Sequence, residues 1–229
     1  MRWTAFMMMA MLAAGGSLAA DNELTPEEQA DGWLLLFDGE TLNGWVTNGM
    51  RPSKTPVDDG CINPHRCGGY MLVHETQWGD FVLSLDFKMS EGCNSGVFLR
   101  TYPLTPQHGK SVGYNGIEMQ VFDGTGTGFQ DCGALYDLVK PSKAMAKPAG
   151  EWNHAEITCD DNLVKVVLNG EEVASMDLDE WTQPYKRPDG TKHKFFTAWK
   201  DHPRKGYIGL QDHGHPVWYK NIKLKPLNE

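Results

Sequence analysis

Apolar and polar positions alternate with period two through most of the middle and end of the chain. In "FVLSLDFKMS", Phe81, Leu83, Leu85, Phe87 and Met89 share one face, and Ser84, Asp86 and Lys88 share the other. That period predicts a strand with one buried side. "GIEMQVFDG" repeats it, with Ile117, Met119 and Val121 on one side and Glu118, Gln120 and Phe122 on the other. "WNHAEITCDDNLVKVVLNGEEVASMDL" holds two strands around a turn at Asp160 to Leu163, then Asn169-Gly170, the dipeptide favoured by a type I′ hairpin turn. In "GYIGLQDHGHPVWYKNIKLK", Ile208 and Leu210 alternate as a strand should, and Gln211 to His215 then form a polar cluster. Helical spacing is confined to "LTPEEQADG", where Thr25 caps a short helix, Pro26 takes its first position and Glu28 completes a capping box. Many short strands without a βαβ rhythm predict an all-β sandwich or barrel.

The N-terminus follows a different rule. Arg2, the run "AFMMMAMLAAGG" and then "SLAA" read as a secretory signal peptide rather than a membrane span, with cleavage near Ala19 or Ala20. The mature chain, residues 21–229, is then a periplasmic or secreted protein. No linker or internal repeat divides it, so a single domain is expected. A formal net charge of -9 argues against nucleic acid as a partner. An oxidising compartment makes a Cys61–Cys67 disulfide plausible across "CINPHRC". Cys93 and Cys132 could form a second bridge and leave Cys159 over, but spacing does not fix the pairing. No CxxC pair occurs, and His65 alone makes a weak case for zinc.

Three strands carry polar groups that a solvated sheet face does not need. Arg100 falls on the side of Phe98, away from Val97 and Leu99. Glu118 and Gln120 share a face, ~7 Å apart along the strand. Gln211 and His213 lie opposite Ile208 and Leu210. If the strands are neighbours, an Arg, a Glu, amides and a His converge on one concave surface. The alternative is a cross-strand Glu–Arg ion pair, worth a few tenths of a kcal/mol to about 1, with His213 and His215 as turn residues. Gly96, Gly116 and Gly209 within these strands suggest close approach of a ligand or a bulge. Glycoside hydrolysis by two carboxylates fits less well, since Glu118 stands alone on that face and Asp123 falls at a strand end.

"GWLLLFDGETLNGW", "NSGVFLR", "GIEMQVFD", "GALYDLVKPSKAMAKPAGEWNHAEI", "VVLNGEEV" and "GYIGLQDHGHPVWYKNIKLKPL" occur in this order between about Asp31 and Leu227. Together they resemble the 3-keto-disaccharide (3-keto-glycoside) hydrolase family, DUF1080. The resemblance implies a concanavalin A-like (LamG-like) jelly roll: two antiparallel sheets with a concave, carbohydrate-facing side. Its exported members act on glycosides oxidised at C3. The positions matching its polar motifs are Asn94, Arg100, Glu118, Gln120, Tyr136, Gln211, Asp212 and His213. The segment from Cys61 to Cys67 departs from the pattern as a long insert between the first strands. A C3 ketone acidifies the proton at C2, so Glu118 and His213 are expected to share acid–base work. Arg100 and Gln120 are expected to polarise or position the ketone oxygen, and Asn94, Tyr136, Gln211 and Asp212 to bind the sugar. No cofactor follows from this chemistry, although Glu118, Asp212 and His213 are ligand types that a divalent metal ion accepts. The partner is a 3-keto-glycoside or another carbohydrate, with no membrane span and the oligomeric state open. Two rival readings are a lectin-like module, with Tyr136, Trp199 and Trp218 as stacking platforms and Glu118 accepting a hydroxyl, and a non-catalytic interaction domain.

Overall fold

The computed structural model describes residues 20–227, so residues 1–19 of the expected signal peptide lie outside the described residues. Strands β1 (Leu34–Leu35), β2 (Trp45–Thr47), β3 (Met71–Trp78), β4 (Phe81–Met89), β5 (Asn94–Thr101) and β6 (Ile117–Phe122) precede a long connection. Strands β7 (Trp152–Asp160), β8 (Leu163–Leu168), β9 (Glu171–Asp177), β10 (Gly206–Gln211) and β11 (Val217–Pro226) follow it. They form a six-stranded sheet, ordered β1-β11-β4-β7-β8-β9, and a five-stranded sheet, ordered β2-β3-β10-β5-β6, with every pairing antiparallel. This is the expected two-sheet sandwich.

The alternation explains why the sheets stack. Leu83, Leu85 and Phe87 of β4 are fully buried and belong to one apolar cluster with Val97 and Leu99 of β5, Ile117, Met119 and Val121 of β6, and Ile208 and Leu210 of β10. Each such side chain contributes about 1.5–3 kcal/mol when withdrawn from water. Asn169 and Gly170 both have positive φ, 51° and 86°, as a type I′ turn between β8 and β9 requires. The short helix Pro26–Ala30 carries the anticipated capping box. Among the described residues no helix is long and apolar enough to cross a membrane.

The insert between β2 and β3 docks on β11, where Ile62 and Tyr219 exchange backbone hydrogen bonds at 2.9 Å. It closes without a disulfide, contrary to the sequence expectation: all five cysteines are free, buried thiols. Backbone bonds order the loop instead, from Cys61 N to Asp58 O (3.1 Å), Cys67 N to Pro64 O (3.0 Å) and Lys54 N to Cys67 O (2.7 Å). The thiols of Cys61 and Cys67 point to separate acceptors, the carbonyls of Asp59 and Gly69. Burial pushes Cys93 and Cys159 up to about 12 and Cys132 to about 11, so the reactive thiolate is suppressed.

Candidate active site

The outward face of the five-stranded sheet holds a cleft of about 230 Å³. That is just under the ~300–1,000 Å³ typical of small-ligand pockets. Register places its floor. β5 and β6 pair Asn94 with Phe122, Gly96 with Gln120 and Phe98 with Glu118, so the outward-facing members of the two strands fall side by side. Glu118, Gln120 and Asn94 line the cleft from these strands, and Gln211 and His213 from the end of β10.

Glu118 is the least ordinary group in it. Its residue is only 5% exposed, and its carboxyl makes no hydrogen bond or ion pair among the described residues. Burial pushes its pKa up to about 8, and the nearby Lys194 ammonium opposes the rise. The carboxyl lies across β5 at Gly96, where a Cβ would come within 2.1 Å of Oε1. Glycine in this strand therefore makes room for the carboxyl.

Amides and phenols surround it. Gln120 Nε2 donates to Asn94 Oδ1 at 3.1 Å. Gln211 Nε2 donates to the Tyr70 hydroxyl at 2.8 Å, while the buried Gln211 Oε1 has no partner. Burial, and next the charge of Glu118, raise the Tyr70 phenol to about 12, which keeps it a neutral hydrogen-bonding group. Tyr136 N donates to Glu118 O at 2.8 Å, which sets the two residues side by side at the cleft. The Tyr136 hydroxyl accepts from Lys194 Nζ at 2.9 Å, which leaves its own proton available to the cleft. Behind this pair, the Arg187 guanidinium is hydrogen-bonded to the Asp137 carbonyl (2.7 Å) and carboxylate (3.2 Å), and Asp137 Oδ2 accepts from Lys194 N at 2.7 Å. A buried ion pair thus fixes both Tyr136 and Lys194.

Arg100 is not in the cleft. Its φ of +49° breaks the strand alternation one residue past Leu99, beside a register shift in β10 between Tyr207 and Gly209. The fully buried guanidinium crosses to the turns of the other sheet, where it donates to Gly79 O (2.9 Å), Asp161 O (2.7 Å) and Asp80 Oδ1 (2.8 Å). It clamps the two sheets and is not available to a ketone oxygen. Its ion pair is with Asp80, not with Glu118.

Asp212 also turns away from the cleft. Its carboxylate accepts from Arg66 N (2.8 Å) and Gly214 N (3.1 Å) and lies 3.4 Å from His65 Nδ1. The insert thereby braces the loop that carries His213, which is exposed at the rim of the cleft. His215 is likewise an exposed residue of that bend and does not line the cleft. Among the described residues no three His, Cys, Asp or Glu side chains are placed to hold a metal ion, so Glu118, Asp212 and His213 do not form the ligand set considered from sequence. Of the proposed stacking aromatics only Tyr136 lines the cleft: Trp199 is core, and Trp218 lies on the opposite sheet.

Sequence reasoning missed Tyr70, Ser111, Gly113, Tyr114 and Phe195 of the lining, and Lys194 behind it. Most sit in connections with no period to read; the one available signal was Lys194 inside the aromatic-rich "HKFFTAW".

A family model, the 3-keto-alpha-glucoside-1,2-lyase-like domain, matches residues 32–225. A 3-keto-disaccharide hydrolase of Bacteroides thetaiotaomicron is 30% identical over 231 residues, covering 87% of this chain and 80% of that protein. Two Parabacteroides distasonis crystal structures, each described as a "putative glycosyl hydrolase", share the fold. One has a TM-score of 0.75 and 28% identity, covering 91% of this chain and 100% of the other. The second has a TM-score of 0.70 and 31% identity, covering 85% and 99%. A match over almost the whole described sandwich, including the strands that carry Glu118 and Gln211, places this chain in the 3-keto-alpha-glucoside-1,2-lyase-like domain family.

Proposed function

We infer that this protein cleaves 3-keto-glycosides by removing the C2 proton, expelling the C1 substituent and adding water to the product. The observation that carries the reading is the Glu118 carboxyl, buried at the cleft floor without a hydrogen-bond partner among the described residues and raised to about 8. A carboxylate with that affinity for a proton is a much stronger base than an exposed one, and the ketone at C3 makes the C2 proton acidic enough to need no more.

Glu118 takes the C2 proton, and the electron pair passes into the enolate of the C3 ketone. The Tyr136 hydroxyl, its oxygen already bound by the Lys194 ammonium, donates to the developing oxyanion, the role expected of Arg100 from sequence. As the ketone re-forms, the C1–C2 double bond forms and the C1–O bond breaks. His213, at the open rim, protonates the departing oxygen. Water then adds its oxygen to C1, Glu118, whose carboxyl exchanges its proton with solvent while the unsaturated product is bound, returns a proton to C2, and the remaining proton of water restores His213. One water is consumed and one glycosidic bond is lost. Asn94, Gln120, Gln211 and Tyr70 supply donors and acceptors for the ring hydroxyls. Residues 1–20 read as a signal peptide, which supports an exported site of action, and the N-terminus of the mature protein, read by mass spectrometry, should then be Ala20 or Asp21.

The test compares nitrophenyl 3-keto-glucoside with the parent nitrophenyl glucoside. Release of nitrophenol from the first and not the second, lost in Glu118→Gln, supports the reading. Equal release from both, or binding of both without turnover, contradicts it.

A further inference from the structure

The outer face of the six-stranded sheet carries a second groove, facing away from the Glu118 cleft. Register sets three side chains in a row across it: Trp218 of β11 opposite Lys88 of β4, and Lys88 opposite Trp152 of β7. Solvated sheet faces are ordinarily polar, yet both indoles are only half buried here. The Lys88 ammonium lies 4.9 Å from the Trp152 ring centre and 5.2 Å from that of Trp218.

Two walls enclose about 400 Å³ over this row. One is the N-terminal segment, in which Asn22 and Asn221 exchange hydrogen bonds of 2.6 and 2.8 Å and Asn22 Nδ2 reaches Gly60 O at 2.9 Å. The other is the insert, where Asp58 Oδ2 accepts from Trp218 Nε1 at 2.7 Å. A neighbouring depression of about 330 Å³ shares Lys88 and Trp218, so the surface runs past Trp218 as a trough and is not a closed pit. The walls are pinned before any ligand arrives, which lowers the entropic cost of binding.

The chemistry selects the ligand. Lys88 makes no ion pair and Asp59 no side-chain hydrogen bond among the described residues, so a donor and an acceptor both face the groove. Asp21, Asp58 and Asp59 repel an anion, while Lys88 and Lys220 repel a cation. A neutral chain rich in hydroxyls, each both donor and acceptor, with apolar C–H surface for the indoles, meets all of these conditions. We propose that this groove is a second carbohydrate site, separate from the cleft, that holds several units of a neutral glycan. The insert, whose far end braces the His213 loop, forms one wall of it.

The probes are cellohexaose, maltohexaose and xylohexaose, which carry no 3-keto group, titrated into the mature protein while the indole N–H resonances are followed. At least one hexaose should shift Trp152 and Trp218, and the Trp152→Ala/Trp218→Ala double variant should bind it roughly tenfold or more weakly. Turnover of a small 3-keto-glucoside should stay within about twofold, because neither tryptophan touches the cleft. Lys88→Met, which keeps both indoles, should also weaken binding and guards against a misfolded double variant. The proposal is overturned if no hexaose binds, if the variants bind as tightly as the parent, or if only an anionic glycan such as polygalacturonate binds.

Discussion

Glu118 concentrates the chemistry in one side chain because its surroundings withhold both water and partners. A carboxyl whose folded pKa is raised holds its proton more tightly in the folded than in the unfolded chain. Its stabilising contribution is complete below the ordinary value of 4.5 and is lost as the pH rises through about 8. Glu118→Gln should therefore melt at the same temperature as the parent near pH 4 and be more stable above pH 8, by ~2–4 kcal/mol. Thermal melts across that range check it. The same pKa requires kcat/KM on a 3-keto substrate to climb with pH and level off above about 8, provided Glu118 acts as the base. Turnover by Glu118→Gln should fall by about 10³-fold or more, and by Tyr136→Phe by ~10²-fold, with KM changed less than kcat.

Strand geometry decides which of the polar side chains reach the site. Period-two reading was right wherever the backbone stayed extended: it put Glu118 and Gln120 on one face, and register then brought Asn94 beside them. It misplaced Arg100, because a single residue at φ +49° reverses the facing, and nothing in "VFLRTY" announces a left-handed residue. Tyr70, Tyr114, Lys194 and Phe195 were not legible for a different reason. They come from loops far apart in sequence, and only the folded sheet assembles them around the cleft. Arg100→Met should remove the buried donor shared by the Gly79 and Asp161 carbonyls and the Asp80 carboxylate and cost about 1–3 kcal/mol, seen in urea unfolding, while the folded fraction keeps its kcat. Gly96→Ala tests the sheet from the other side. Its methyl group would occupy the place of the Glu118 carboxyl, so activity should drop by ~10²-fold in a protein whose circular dichroism is unchanged.

At the scale of the molecule, the sandwich turns its two sheets to different tasks: one face holds the enclosed carboxyl, and the other bears an open groove between the insert and the N-terminal segment. The alternation of apolar residues made this two-sheet design readable in advance, whereas the state of the cysteines was not, since thiol pairing depends on where each side chain points. The thiols of Cys67, Cys93, Cys132 and Cys159 should remain silent to a thiol reagent in the native protein, and all five should react in denaturant without prior reduction. The central claim is that the Glu118 cleft opens the glycosidic bond through loss of the C2 proton, and running the reaction on a 3-keto-glucoside in heavy water tests it most directly. One deuterium should appear at C2 of the released 3-keto sugar, faster than the enzyme-free exchange and absent with Glu118→Gln. Bond cleavage at the normal rate with the original hydrogen retained at C2 would contradict the mechanism.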